Sequence, residues 1–248
     1  MALRRFRADL HIHSCLSPCG ELTIYPSRIV ERALAAGLDI IALTDHNSAE
    51  NAAAAVRAAE GTALTVLPGM EITSSEEVHI LAVFQSLDDV LPVQEEVYRA
   101  LPRVEVRAEA LQDQVIVSKE DEVLGFVPYP LVGATGLDVR GVVELIHGAK
   151  GLAIASHIDR EAFGLVSQLG FIPPDLALDA LEVSPLLTWP QAKKTFASQA
   201  PLPLVRFSDA HRPEEIGRAS TVFRLAAPSL AEIRLALRSK KGRGVCDS

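Results

Sequence analysis

Apolar residues gather in short runs at residues 6–12, 38–43, 64–68, 78–84, 151–155, 181–183 and 202–207, each bounded by polar or turn-forming positions. Their length and composition predict seven strands. Between most of them the apolar period lengthens to that of a helix. Pro26 opens one such stretch, Ile29, Val30, Ala33 and Leu34 form its stripe, and Gly37 stands where a C-terminal cap belongs. An Ala-rich stretch at 49–60 predicts a second helix, Asp138 is placed to cap a third, and Ser229 to start a last one through Leu237.

Strands that alternate with helices pair in parallel, and seven such units fit a barrel better than a small open sheet. One step departs from this pattern. Glu71 and His79 are separated by only seven residues, too few for a parallel crossover of roughly a dozen, so a hairpin-like return is expected that leaves both on one rim. The rhythm also breaks over 86–137, where a helix-like run at 94–100 precedes a hairpin pattern at 114–127 that turns near 119–122. This segment is expected as an insert beside the barrel, either a lid or a structural elaboration. At 248 residues, one α/β domain over 1–248 accommodates barrel and insert together.

Charge narrows the partners. With 24 Lys and Arg against 32 Asp and Glu, the net charge of −8 disfavours a surface that grips extended nucleic acid through clustered cations. A short nucleotide in a local pocket remains compatible, and the basic residues at 238–243 read as a solvated terminus. No apolar run approaches the ~18 residues of a membrane span, so no membrane partner is expected. No apolar stretch follows Arg4 and Arg5 before Asp9, and the three cysteines, Cys15, Cys19 and Cys246, are too few for a disulfide framework. The expected location is the cytoplasm.

Candidate chemistry falls at the strand ends. Six of the seven histidines, His11, His13, His46, His79, His157 and His211, lie at or just beyond an apolar run, most of them near a carboxylate such as Asp45, Glu71 or Asp209. In parallel barrels reactive groups gather where strands give way to loops. The spacing of two in His11-x-His13 and Asp209-x-His211 puts both side chains of each pair on one face of an extended segment. Imidazole mixed with carboxylate suits Zn, Mn or Fe better than Mg or Ca, and eight such donors exceed what one ion uses. Cys19, between Pro18 and Gly20, can turn back as a thiolate ligand or simply pack; Cys15 reads as a small buried hydrophobe and His147 as a satisfied helix histidine. The pair Gly133-x-x-Gly136 lacks the lysine of a phosphate loop, and no serine sits in a nucleophile elbow. Nucleoside triphosphatase and serine hydrolase chemistry drop out.

Taken in order, Asp-Leu-His-Ile-His (9–13), Thr-Asp-His-Asn (44–47), Pro-Gly-Met-Glu (68–71), Val-His-Ile (78–80), Ser-His-Ile-Asp (156–159) and Ser-Asp-Ala-His (208–211) resemble the motifs of the polymerase and histidinol phosphatase (PHP) superfamily. The resemblance implies a distorted, TIM-like (β/α)7 barrel with a three-metal site. It would assign His11, His13, Glu71 and Asp209 to one ion, Glu71, His79 and His157 to a second with Glu71 bridging, and His46 and His211 to a third. Where the family commonly supplies Asp or His after the first motif, this chain offers Cys19. The implied activity is hydrolysis of a small phosphomonoester or nucleotide by a metal-activated hydroxide. Asp45 would orient His46 or a water, and Arg160 and Arg212 would bind phosphate oxygens, with ordinary surface ion pairs as their alternative. Three other readings stay open: a 5′-phosphate-directed nuclease, a non-catalytic metal-stabilised regulatory module, and amide hydrolysis, whose enzymes commonly bridge their metals with a lysine rather than a residue like Glu71.

Overall fold

A computed structural model of the chain describes residues 2–103, 114–196 and 202–246. Its strands are β1 (Arg4–Ile12), β2 (Ile40–Leu43), β3 (Thr65–Thr73), β4 (His79–Val83), β5 (Val115–Val117), β6 (Val123–Phe126), β7 (Leu152–Ala155), β8 (Ala180–Val183), β9 (Leu204–Arg206), β10 (Thr221–Leu225) and β11 (Gly244–Cys246). The helices are α1 (Pro26–Ala35), α2 (Ala52–Ala58), α3 (Leu87–Ala100), α4 (Val139–Gly148), α5 (Leu165–Leu169), α6 (Trp189–Phe196) and α7 (Leu230–Leu237). The expected caps form: Gly37 takes φ +67° after α1, Asp138 accepts from Gly141 N ahead of α4, and Ser229 accepts from Glu232 N ahead of α7. Among the described residues no helix is long and apolar enough to cross a membrane.

All seven expected runs become strands, and they curl into a nearly closed barrel. The main sheet has the order β11-β10-β1-β2-β3-β4-β7-β8-β9. Pairing is parallel along β1, β2 and β3 and again along β7, β8 and β9, while β4 runs antiparallel to both β3 and β7. The hairpin return is therefore present, with Thr73 opposite His79. Beyond β9 the chain comes alongside β1 through a parallel bridge between Ile12 and Ala210, with His13 N donating to Ala210 O at 2.9 Å. The buried Asp9 carboxylate fastens the seam, accepting from Ser208 N and Gly217 N at 3.0 Å each.

Alternation along the strands sets what faces the barrel interior. Ala8, Leu10, Ile40, Ala42, Leu67, Leu81, Val83, Leu152, Ile154, Ala180, Val205 and Phe207 form one buried interior cluster. Their sequence neighbours Met70, Ile72, Ile80, Ala82, Ala153, Ala155, Leu181 and Val183 point outward onto α3, α4, α5 and α6, and Ile41 and Leu43 meet α1 and α2. Most strands that feed the site carry their interior parity to the rim: Ala42 leads to His46, Leu67 to Glu71, Leu81 back to His79, Ala180 to Glu182 and Phe207 to Asp209. After β7, His157 has the parity of the outward Ala153 and Ala155 and reaches the site from a backbone at φ +25°. In β1 the parity switches. Its register against β2 shifts between Asp9 and Ile12, so Leu10 joins the interior while Ile12 packs outside, and His11 and His13 are re-aimed inward, as a bulge does.

The segment 86–137 holds α3 and, as expected, a hairpin, with β5 antiparallel to β6. The hairpin lies on the loop after β1: Asn51 bonds Val115 O and Val117 N at 3.0 Å each, and Val115 and Val117 pack on Cys15. Part of this segment, 104–113, lies outside the described residues. The apolar patterning had not singled out β10, β11, α5 or α6; β10 and β11 extend the sheet beyond β1, and α7 packs on them.

Candidate metal centre

Glu71 stands at the middle of the rim with five imidazoles around its carboxylate. Oε1 lies 3.3 Å from His11 Nε2, 3.1 Å from His79 Nδ1 and 3.4 Å from His157 Nε2. Oε2 lies 3.5 Å from His13 Nε2 and 3.2 Å from His46 Nδ1. Asp209 adds a second carboxylate, 3.2 Å from His11 Nε2 and 3.3 Å from His13 Nε2. His211 stacks on His13 with ring centroids 4.3 Å apart. The eight side chains named at the strand ends thus come together, drawn from segments up to 200 residues apart in sequence.

Their donor atoms sort into overlapping trios, each within 4.8 Å of one another: His11, His13 and Glu71; His46, Glu71 and His79; and His13, His46 and His211. The first agrees with the ligand set implied by the resemblance; the second shares Glu71 and His79 with the implied set but has His46 in place of His157, and the third adds His13 beside His46 and His211. Glu71 Oε1, His46 Nδ1, His79 Nδ1 and His157 Nδ1 are buried without a hydrogen-bond partner. An unsatisfied buried polar atom costs about 1–3 kcal/mol, and four in one cluster fit a set of ligands whose partners are cations. Backbone strain sits here too, since His157 and Asp209 adopt φ of +25° and +48°, a region that ordinary residues rarely occupy.

Electrostatics suits the same use. Burial would raise the Glu71 carboxyl, but His79 and His11 outweigh it and hold its pKa well below the ordinary value. Asp209 is held down in the same way, by His11 and His13 against burial. Burial and the neighbouring His211 push His13 down to about 4, and burial with His13 beside it holds His46 well below the ordinary value. These groups present ionised oxygens and free nitrogen lone pairs, the forms that ligate metals. At His11 burial is outweighed by Glu182, Asp209 and Glu71, which raise its pKa well above the ordinary value; the same surplus of negative charge would hold a cation in place of the Nε2 proton.

Behind the rings lies a layer of orienting groups. Glu182, fully buried, meets His11 Nδ1 at 2.9 and 3.1 Å and accepts from His157 N at 3.3 Å, tying two ligand-bearing segments together. Sequence reasoning missed it, although a charged residue inside the apolar run 181–183, at interior parity, was the available signal. Asp45 is placed differently from its expected role: it accepts from Ser14 N at 2.6 Å, Ser14 Oγ at 2.7 Å and Ser17 Oγ at 2.7 Å. Ser17 Oγ in turn meets His13 Nδ1 at 3.0 Å and accepts from His46 N at 3.2 Å. Asp45 therefore acts on His13 and on the His46 backbone through Ser17, not on the His46 ring.

The cluster opens into a cavity of about 280 Å³ lined by His46, Glu71, His79, His157, Asp209 and His211, with Cys19, Arg160, Ala162 and Phe163 at its sides. Arg160 Nη1 pairs with Asp209 Oδ2 at 2.6 Å. Cys19 Sγ lies 3.1 Å from His211 Nε2. Phe163 stacks on His79 at 4.3 Å. Arg212 is not among the lining residues; its side chain, 58% exposed, pairs with Glu21 at 3.0 Å, the surface ion pair that stood as its alternative. His147 meets Asp179 at 3.0 Å on α4, away from the cluster.

Comparison with known proteins agrees with this architecture. The profile of the PHP domain matches residues 9–157, more than half of the chain, and takes in the first four motifs and the fifth as far as His157. The chain belongs to the PHP domain family. A second profile, described as PHP-associated, matches residues 191–241. No curated protein sequence matches the chain. Among solved structures, the PHP chain superposes on the lesion-specific endonuclease Q of Pyrococcus furiosus with a TM-score of 0.70 and 19% identity, covering 98% of this chain and 58% of that one. A complex of endonuclease Q with a 27-mer duplex carrying an abasic lesion gives 0.70, 20% identity and the same coverages. A two-domain protein from Bacteroides vulgatus, described as containing a predicted PHP-like metal-dependent phosphoesterase, gives 0.60 and 20% identity over 98% of this chain and 65% of that one. The chain thus spans less than two thirds of the length of these relatives, and at such identities the likeness is one of fold.

Proposed function

We propose that the cluster around Glu71 holds divalent ions, three in all, and hydrolyses the phosphate ester of a small phosphomonoester or a nucleotide. The observation that carries the reading is the convergence of six imidazoles and two carboxylates on one rim, with four of their buried polar atoms lacking a hydrogen bond. His11, His13, Glu71 and Asp209 would hold one ion, Glu71, His79 and His157 a second, and His46 and His211 a third. Divalent ions there would supply Lewis acidity toward phosphoryl oxygens and lower the pKa of a water.

The chain's own residues supply position and charge. Glu71 spans the cluster, so its two oxygens can serve neighbouring ions. Glu182 fixes His11 by its Nδ1 and leaves Nε2 facing Glu71 and Asp209, where an ion would be held, and Ser17, held by Asp45, does the same for His13. Arg160, now paired with Asp209, is the cation beside the cavity that can take a phosphate oxygen once Asp209 is committed to an ion.

The substrate class follows from size and charge. Among the described residues lining the cavity, Arg160 is the single Lys or Arg, which suits one phosphoryl group rather than a tracked backbone. The likeness of fold to an endonuclease keeps a 5′-phosphorylated oligonucleotide in the comparison. The test is phosphate release from phosphomonoesters, nucleotides and short 5′-phosphorylated oligonucleotides by chelator-stripped protein restored with manganese or zinc. Release from small esters that is indifferent to salt supports the proposal. Preference for the oligonucleotides with a steep salt dependence supports a nuclease, and silence across the panel with ions bound supports a non-catalytic module.

A further inference from the structure

The outer part of the cluster differs chemically from the rest, because a thiol stands beside it. We propose that Cys19 is a thiolate ligand to the ion held by His46 and His211, so that this position selects zinc over oxygen-preferring ions such as manganese; the inference rests on the ion-binding reading above.

Three observations carry it. The loop after β1 is closed by backbone bonds that leave Cys19 little freedom: Ser17 N to Ser14 O at 3.0 Å, Gly20 N to Ser17 O at 2.8 Å, and Glu21 N to His211 O at 3.0 Å. The last of these ties the loop directly to the backbone of His211. Gly20 is required for this closure, since a Cβ there would meet Ser14 O at 2.7 Å. Second, the sulfur and His211 Nε2 are 3.1 Å apart on the cavity wall. Zinc bonded to both at ~2.3 and ~2.0 Å in tetrahedral geometry would separate them by about 3.5 Å, a small adjustment. Third, His46 lines the same wall with its buried Nδ1 lacking a hydrogen bond, and His46 falls in the donor trio with His13 and His211. Ligand formation is balanced simply: the thiol proton leaves to solvent as the sulfur–metal bond forms. Softer sulfur favours zinc, whereas manganese prefers oxygen donors. Cys15 is not a competitor, because it is buried under β5 against Val115 and Val117.

Cobalt(II) tests this without measuring activity. Chelator-stripped protein reconstituted with cobalt should show visible d–d absorption from the histidine and carboxylate sites together with a near-ultraviolet thiolate-to-cobalt band. In Cys19→Ser the visible bands should persist and the charge-transfer band should vanish. Cys19→Asp should retain the ions while its zinc-over-manganese preference falls about tenfold or more, because a hard oxygen donor replaces the softer sulfur. Peptide-resolved alkylation of the unmodified sequence adds a check that needs no variant: zinc should protect the exposed Cys19 strongly. Visible cobalt bands without the thiolate band, or equal alkylation of Cys19 with and without zinc, would overturn the assignment while leaving the metal reading intact. Failure to hold cobalt at all would overturn both.

Discussion

Glu182 offers the sharpest test of how the fold tunes its ligands. Its carboxylate is fully buried and serves His11 Nδ1 at 2.9 and 3.1 Å and His157 N at 3.3 Å. Glu182→Gln keeps the volume and one carbonyl acceptor but removes the charge, and its amide cannot accept on both sides. A hydrogen bond to a charged group contributes about 1.5–3 kcal/mol, and losing such a partner behind a metal-bound imidazole typically costs 10–100-fold in affinity, about 1.4–2.7 kcal/mol. Zinc or manganese binding, measured by competition with a chromophoric chelator at fixed pH, should therefore weaken by one to two orders of magnitude. Glu182→Asp should recover part of the loss. Urea unfolding of the ion-free proteins separates this from a failure to fold. An affinity within about twofold of the parent, in a variant that folds normally, would refute the view that Glu182 sets the orientation and basicity of His11.

Other outcomes follow from particular contacts. Arg160→Gln should lower kcat/KM for phosphate esters by about 10-fold or more, the loss of a charge-assisted bond to phosphate, whereas Arg212→Ala should stay within about twofold because its pair with Glu21 is exposed. Leu67→Ala, which empties a fully buried position inside the barrel, should cost about 2–5 kcal/mol in urea unfolding. For Asp179, burial is outweighed by bonds from His147 and Ala153 N, which hold the carboxyl below its ordinary value. Its stabilising contribution is thus present above the unfolded-state pKa of about 3.9 and is lost as pH falls through the depressed folded value. Asp179→Asn should accordingly flatten the acid limb of the stability curve while lowering stability at neutral pH. Chelation should lower the melting temperature of the parent, and added zinc should restore it in a concentration-dependent way.

Much of this architecture is legible in the chain because the barrel is periodic. The runs at 6–12, 38–43, 64–68, 78–84, 151–155, 181–183 and 202–207 all become barrel strands, and the short gap between Glu71 and His79 correctly signals the antiparallel step. The eight ligand-type side chains stand out because each ends or begins such a run. What stayed hidden depends on long-range contact. Glu182 has no partner nearby in sequence; His11 lies 171 residues away, so its role emerges only when β8 is set across the barrel from β1. Asp45 adjoins His46 in sequence, yet strand geometry turns its carboxylate toward Ser14 and Ser17. β10 was readable as the alternation of Thr221, Phe223 and Leu225, all buried, but α5 has only five residues and is held by packing rather than by a periodic stripe of its own. The re-aiming of His11 and His13 depends on a register shift against β2, which no local pattern announces.

The central claim is that ions gathered around Glu71 drive phosphate ester hydrolysis. It is tested most directly by phosphate release from chelator-stripped protein as manganese or zinc is titrated back, with Glu71→Gln alongside the parent. The account predicts release that rises with ion loading in the parent and falls by more than about a hundredfold in the variant, since a neutral amide replaces the carboxylate that five imidazoles surround. Equal release from the two proteins, or none from a fully loaded parent across phosphomonoesters, nucleotides and 5′-phosphorylated oligonucleotides, would contradict it.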